Sequence, residues 1–251
     1  MDLAGHTALV TGGGTGLGRA IAGRLASEGM AVAVNYSRSR DEAEAVAAEI
    51  AGAGGQALAV QGDVSEPADV DAMVVEVEKR LGPIDVLVAN AGTTSYVPYA
   101  ELERVTPELW HRILGVNLLG TFSCVQRVAP GMLERGFGRI VAVSSNSALG
   151  GTGSSIPYVV SKGALNTLVV CLARALAPNV QVNAVAPGWM RTPWIEKHLP
   201  EEVAAEVLDS DADSADVEDV AAAVVGLAGN RAVTGQVVVV DRGELALAGG
   251  T

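Results

Sequence analysis

Short runs of consecutive apolar residues alternate with longer stretches whose apolar positions recur every three or four residues, and the alternation continues along nearly the whole chain. Thr7–Val10 and residues 31–35, 57–60, 86–89, 140–143, 180–184 and 236–240 read as strands. Gly16–Ser27 and residues 41–51, 68–81, 107–132, 157–177 and 217–227 read as helices; Val46 and Ile50, for example, share one face at i,i+4 spacing. Strands apolar on both faces and separated by helices imply a parallel sheet covered on both sides, an α/β arrangement. Right-handed crossovers then make it doubly wound. No internal repeat or long linker interrupts the pattern, so residues 1–251 are expected to form a single domain. Residues 187–216 are the least regular. Their acidic continuation, 201–219, reads as a solvated face or as a flap over a site, and 189–213 as a variable substrate loop.

Composition supports this picture. Of 251 residues, 49% are hydrophobic and 18% charged, enough for a substantial core, and with 4% aromatics that core must be built from small aliphatic side chains. A net charge of -12 argues against nucleic acid, which requires clustered Lys and Arg, and against an anionic membrane surface. Cys124 and Cys171 lie in apolar runs and read as buried free thiols. They form no disulfide framework, and His6, His111 and His198 show no metal-ligand spacing, so no metal is expected. The first residues lack a secretory pattern, and no uninterrupted apolar run approaches the ~20 residues of a bilayer span. A cytoplasmic location follows as the expectation.

Thr11-Gly12-Gly13-Gly14-Thr15-Gly16-Leu17-Gly18 follows the first strand and opens the first helix. Glycines there let the backbone approach a pyrophosphate, and the helix start offers N–H donors and a favourable dipole, as in Rossmann folds. The Lys-Ser/Thr pair of a nucleotide-hydrolase phosphate loop is missing, because Gly18 is followed by Arg19 and Ala20. The spacing Gly12, Gly16, Gly18 also differs from G-x-G-x-x-G.

This spacing resembles that of the short-chain dehydrogenase/reductase family. The resemblance continues through Asp63-Val64, Asn90-Ala91-Gly92, Asn117, Tyr158-Val159-Val160-Ser161-Lys162 and Pro187-Gly188 through Thr192, and it spans Thr11 to Asp241 in the family's order. Within the family the chain is most similar to 3-oxoacyl-acyl-carrier-protein reductases. The resemblance implies a nicotinamide dinucleotide held by Gly12, Thr15, Gly16, Leu17, Gly18, Asp63, Val64, Asn90, Ala91, Gly92, Pro187, Gly188 and Thr192. It also implies that Tyr158 and Lys162 contact that cofactor and that the substrate is a small carbonyl or alcohol. Asp63 can alternatively cap the following helix, and Asn90 can act mainly as a scaffold at a strand end.

The chemistry of Tyr158 and Lys162 is also readable from the residues. A carbonyl that accepts hydride needs a proton for its oxygen. Tyr158 and Lys162 are four apart and face one side of a helix, where an ammonium should stabilise the phenolate and lower the tyrosine pKa. The family's polarising serine lies thirteen residues before its tyrosine, which selects Ser145; Ser144 and Ser147 read as local turn formers. Asn117 is expected to anchor a relay water beside Lys162. No G-x-S-x-G elbow is present. Trp189, Met190, Trp194 and Ile195 suit a substrate wall or ordinary packing.

After the second strand the chain reads Asn35-Tyr36-Ser37-Arg38-Ser39-Arg40, with no acid to hold a ribose 2′-hydroxyl. Arg38 and Ser39 are therefore expected to hold a 2′-phosphate, which favours NADP(H) with NAD(H) possible; the alternative is a solvated turn. Two departures stand out: Thr15, where NADP-using relatives often carry a basic residue, and Asp241-Arg242-Gly243, where relatives usually show Asp-Gly-Gly. Excess apolar surface on 165–177 and 217–227 predicts a homo-oligomer, a tetramer by analogy with relatives. Other readings are an NAD-dependent alcohol dehydrogenase of the same family and a non-catalytic dinucleotide-binding regulator.

Overall fold

The computed structural model describes residues 2–209 and 215–247. Seven strands form its sheet: β1 (Thr7–Val10), β2 (Ala31–Tyr36), β3 (Gln56–Gln61), β4 (Ile84–Ala89), β5 (Gly138–Val143), β6 (Val180–Pro187) and β7 (Val237–Val240). Every neighbouring pair is parallel, in the order β3-β2-β1-β4-β5-β6-β7. β1, β4, β5 and β6 are buried at every position, which is why they read as unbroken apolar runs.

Alternate strand residues feed two cores. On one face Val10, Val34 and Val88 pack with Ile21 and Leu25 of α1 (Gly16–Ser27), Val46 of α2 (Arg40–Gly52) and later Val220 and Val224. On the other, Leu9, Leu87 and Ile140 pack with Val70 and Met73 of α3 (Pro67–Leu81) and with two further helices. The chain order reverses between β1 and β4, so the loops leaving these strands open the crevice in which doubly wound sheets bind ligands.

The long middle helix is not continuous. Thr106 caps α4 (Pro107–Leu114) by accepting from Leu109 N–H, a π-type turn occupies Gly115–Gly120, and α5 (Thr121–Arg135) follows. Any side chain at Gly120 would meet Val64 Cγ2 at 2.7 Å, so this turn lies directly against the loop after β3. After β5 come the short α6 (Ser147–Gly150) and the 21-residue α7 (Ile156–Leu176). By length and mean hydropathy α7 could cross a bilayer; in this fold it lies along the sheet, with Leu165, Val169, Ala173 and Leu176 in the core.

The irregular segment proves partly helical, with α8 (Pro193–His198) and α9 (Glu201–Asp209) ahead of α10 (Val217–Ala228) and α11 (Glu244–Leu247). Residues 210–214 of the expected acidic face and loop lie outside the described residues. Cys124 is buried as expected, but Cys171 is exposed on the outer face of α7. A helix apolar nearly all round does not reveal from sequence which side meets the sheet.

Candidate active site

The glycine-rich turn between β1 and α1 is a cradle that side chains would fill. Gly12 and Gly16 take φ of +62° and +49°, and a Cβ on Gly18 would lie 2.1 Å from the Gly12 carbonyl oxygen. Thr11 Oγ1 accepts from the N–H groups of both Asn90 and Ala91 at 3.0 Å. Asn90 Nδ2 donates back to the Thr11 and Gly12 carbonyls at 2.9 and 3.0 Å. Asn90 is thus tied into the turn as scaffold, and it also lines the cleft beneath.

Asn35 was not among the expected site residues. Its buried Oδ1 accepts from Gly12 N–H at 3.2 Å, its Nδ2 donates to the Gly62 carbonyl at 3.0 Å, and its main-chain carbonyl accepts from Gly13 N–H at 2.9 Å. A single amide in an otherwise apolar strand is the one sequence signal that marked it. On the far side, Thr192 Cβ lies 3.2 Å from where a Cβ on Gly16 would sit, so the segment after Pro187 closes over the glycine turn. Gly188 is equally confined, with Asp241 Cβ at 2.8 Å from its Cβ position.

One cleft of ≈ 1650 Å³ runs from Arg38 and Asp63 past Gly12 to Ser145, Tyr158 and Trp194. Thr15, Gly16, Leu17, Gly18, Ser39, Val64, Ala91, Gly92, Pro187, Gly188 and Thr192 line it as well. Asp63 Oδ1 accepts from both the N–H and the hydroxyl of Ser65, a turn ahead of α3 and not the helix cap anticipated as its alternative, since Glu66 holds the cap position. Arg40 ion-pairs with Glu44 and lies over the Tyr36 ring, whereas Arg38 makes no contact of this kind among the described residues and lines the cleft as an exposed side chain. The bare glycine cradle, the N–H groups of the α1 start and this arginine fit a phosphorylated dinucleotide.

At the other end, Ser145 follows β5, and Tyr158 and Lys162 occupy successive turns at the start of α7. Ser145 lines the cleft beside Tyr158, and its Oγ accepts from Ser147 N–H at 3.2 Å. Lys162 Nζ donates to the Val143 carbonyl at 2.7 Å and lies 5.8 Å from the Tyr158 ring centroid. The expected lowering of the tyrosine pKa does not appear. Burial pushes Tyr158 up to about 12, against a partial pull downward from Ser145, and burial brings Lys162 down to about 8. The lysine is turned to a backbone carbonyl, not paired with the phenol. Ser144 also departs from expectation: its hydroxyl donates to the Lys162 carbonyl at 3.3 Å, joining the strand end to the helix.

Asn117 is buried in the π-type turn beside Gly92. Its amide is committed to protein: Oδ1 accepts from Thr93 N–H at 2.8 Å, and Nδ2 donates to the Thr93 carbonyl and to Ser161 Oγ at 3.0 Å. The side chain therefore braces the strand-end loop against α7. Above Tyr158 stands Trp194, ring centroids 6.0 Å apart, backed by His198 at 4.7 Å. Burial lowers the His198 pKa, opposed by its bond to the Trp194 carbonyl and reinforced by Lys197 and Arg112.

Comparison with known proteins agrees with this architecture. Residues 6–203 match the family model described as short chain dehydrogenase. A 3-oxoacyl-[acyl-carrier-protein] reductase, FabG, of Staphylococcus aureus is 37% identical over 243 residues, 94% of this chain and 97% of that protein. The 3-ketoacyl-(acyl-carrier-protein) reductase of Brucella melitensis, solved with NADH, shares 33% identity at a TM-score of 0.87, over 97% of this chain and 99% of that one. A gluconate 5-dehydrogenase from Burkholderia cenocepacia, solved with NADP and tartrate, shares 32% identity at a TM-score of 0.86, over 97% and 96%. The chain belongs to the short-chain dehydrogenase family and is an oxidoreductase similar to 3-oxoacyl reductases.

Proposed function

We propose that this chain is an NADP(H)-dependent reductase of a ketone, of the 3-oxoacyl-thioester kind, that works as a cytoplasmic homotetramer and also catalyses the reverse alcohol oxidation. The observation that carries the reading is the continuity of one cleft from the glycine cradle to Ser145 and Tyr158.

The nicotinamide, when bound, supplies or accepts hydride. Ser145 and Tyr158 present two hydroxyls to one carbonyl oxygen, polarising it and stabilising the charge it gains. With its pKa near 12, Tyr158 is protonated at neutral pH and is the proton donor for reduction. Lys162, still an ammonium below about 8, supplies the positive charge next to the phenol, steadied by the Val143 carbonyl. Retention of both Tyr158 and Lys162 disfavours a purely regulatory binding role.

For the cofactor, Arg38 at the far end of the cleft supports NADP(H). A charge-assisted hydrogen bond contributes roughly 1.5–3 kcal/mol. Side-by-side catalytic efficiencies with NADPH and NADH on an acetoacetyl thioester test the assignment. NADPH should be preferred, and Arg38→Ala should raise its KM about tenfold while sparing that for NADH. A wild-type preference for NADH contradicts it and favours the NAD-dependent alcohol dehydrogenase reading.

A further inference from the structure

The chain contains only nine aromatic residues (three Trp, four Tyr, two Phe), and their placement is uneven. The buried cores are aliphatic, with Tyr36 the one aromatic among the buried hydrophobic side chains described. Tyr96, Tyr158, Trp189 and Trp194 instead line the substrate end of the cleft. They come from separate parts of the fold: the loop after β4, the start of α7, the loop after β6 and α8. Tyr96, Trp189 and Trp194 are each half-buried and lean on a small satellite cluster, Ile195, Leu199 and Ala204, distinct from the two cores of the sheet. That cluster backs the three rings, and the His198 ring lies tilted against Trp194 at 4.7 Å. Four of the nine aromatic side chains therefore gather at one end of the cleft, where three of them stand around the reacting phenol of Tyr158.

We propose that, among the ketones this site reduces, one whose acyl part carries a flat ring is preferred over one with an unbranched chain, and that Trp189 and Trp194 are the specificity residues that hold the ring. This deepens the ketone-reductase reading and rests on it. Rigid indole faces favour a planar partner, because ring–ring contacts add attraction beyond the area they bury. A linear chain gains no such contact and must also lose the freedom of its rotors on entering.

The test compares two unconjugated ketones of equal carbon number, bicyclic β-tetralone and linear methyl octyl ketone, under one saturating cofactor. The wild type should show a kcat/KM about tenfold or more in favour of β-tetralone, and Trp194→Leu should reduce that ratio severalfold. Trp189→Leu serves as an independent variant should Trp194→Leu fold poorly, and β-tetralone should quench tryptophan fluorescence less in either. Equal or better reduction of the linear ketone by the wild type, or an unchanged ratio in a folded variant, overturns the ring assignment alone. Reduction of neither ketone, nor of the acetoacetyl thioester, overturns the ketone-reductase reading beneath it.

Discussion

Asn117 and Thr93 grip each other in both directions: Thr93 N–H donates to Asn117 Oδ1 at 2.8 Å, and Asn117 Nδ2 donates to the Thr93 carbonyl at 3.0 Å. The same amide reaches Ser161, whose hydroxyl donates to the Tyr158 carbonyl at 2.6 Å. One buried side chain thus couples the loop after β4 to the helix turn that carries Tyr158. Asn117→Ala leaves the Thr93 N–H and carbonyl short of a partner, each costing roughly 1–3 kcal/mol when buried, while Ser161 keeps its bond to the Tyr158 carbonyl. Urea unfolding should show a loss on the order of 2–4 kcal/mol in stability together with a fall in activity. Unchanged stability with activity lost would return Asn117 to a role confined to a relay water.

Lys162 sets activity against stability. Its pKa is lowered to about 8 by burial, below the ordinary 10.5. Between these values the unfolded chain holds a proton that the folded chain has released, so this group's contribution to stability rises with pH from about 8 to 10.5. Below about 8 the cost of burying the charge is fully present. Lys162→Met should therefore abolish turnover yet raise the melting temperature at pH 7 by a few degrees, equivalent to roughly 1–2 kcal/mol for a chain of this size. The variant should also lose the rise above pH 8. Calorimetry across pH 7–10 checks it, and a lower melting temperature for the variant would contradict it.

Much of this could be read from sequence for identifiable reasons. β4, β5 and β6 are buried on both faces, so their unbroken apolar runs announce a parallel sheet. Tyr158 and Lys162 sit one helical turn apart, a local spacing that survives folding unchanged. What escaped depends on chain segments far apart in sequence: Asn35 steadying Gly12, Thr192 lying over Gly16, Asn117 engaging Thr93. The sign of the Tyr158 shift escaped too, because spacing shows that a lysine is near but not that its ammonium turns to Val143.

Arg242 stands where a glycine is expected and takes φ of +54°. The turn is held nonetheless, because buried Asp241 accepts from Gly243 N–H and Leu245 N–H at 2.9 Å and from Asn146 Nδ2 at 3.4 Å. A side chain in the left-handed region costs about 1–2 kcal/mol, offset in part by the freedom glycine adds to the unfolded chain. Arg242→Gly should raise the melting temperature by roughly one to four degrees, and Arg242→Ala should not. Equal effects of the two would mean that charge, not backbone, governs the position.

Apolar surface on the outer helices bears on assembly. α10 places Val220, Ala221, Val224 and Leu227 in the core, so it has less to offer a partner than its composition implied. Phe122 and Leu133 of α5, Leu119 just before it, and Val160 and Val170 of α7 remain exposed. Light scattering at micromolar concentration should give about four times the 25.5 kDa chain mass. A monomer mass would contradict assembly through these helices.

The account turns on Tyr158 as the acid that protonates the carbonyl oxygen. Tyr158→Phe deletes one hydroxyl and keeps the ring against Trp194, so the fold and the cleft should persist. Steady-state reduction of an acetoacetyl thioester, measured alongside NADPH binding, is the most direct test. The expected result is a fall in turnover on the order of 10²–10⁴ with NADPH affinity nearly unchanged. A variant that kept more than about half of the wild-type rate, on the scale set by general acid–base catalysis, would contradict the mechanism.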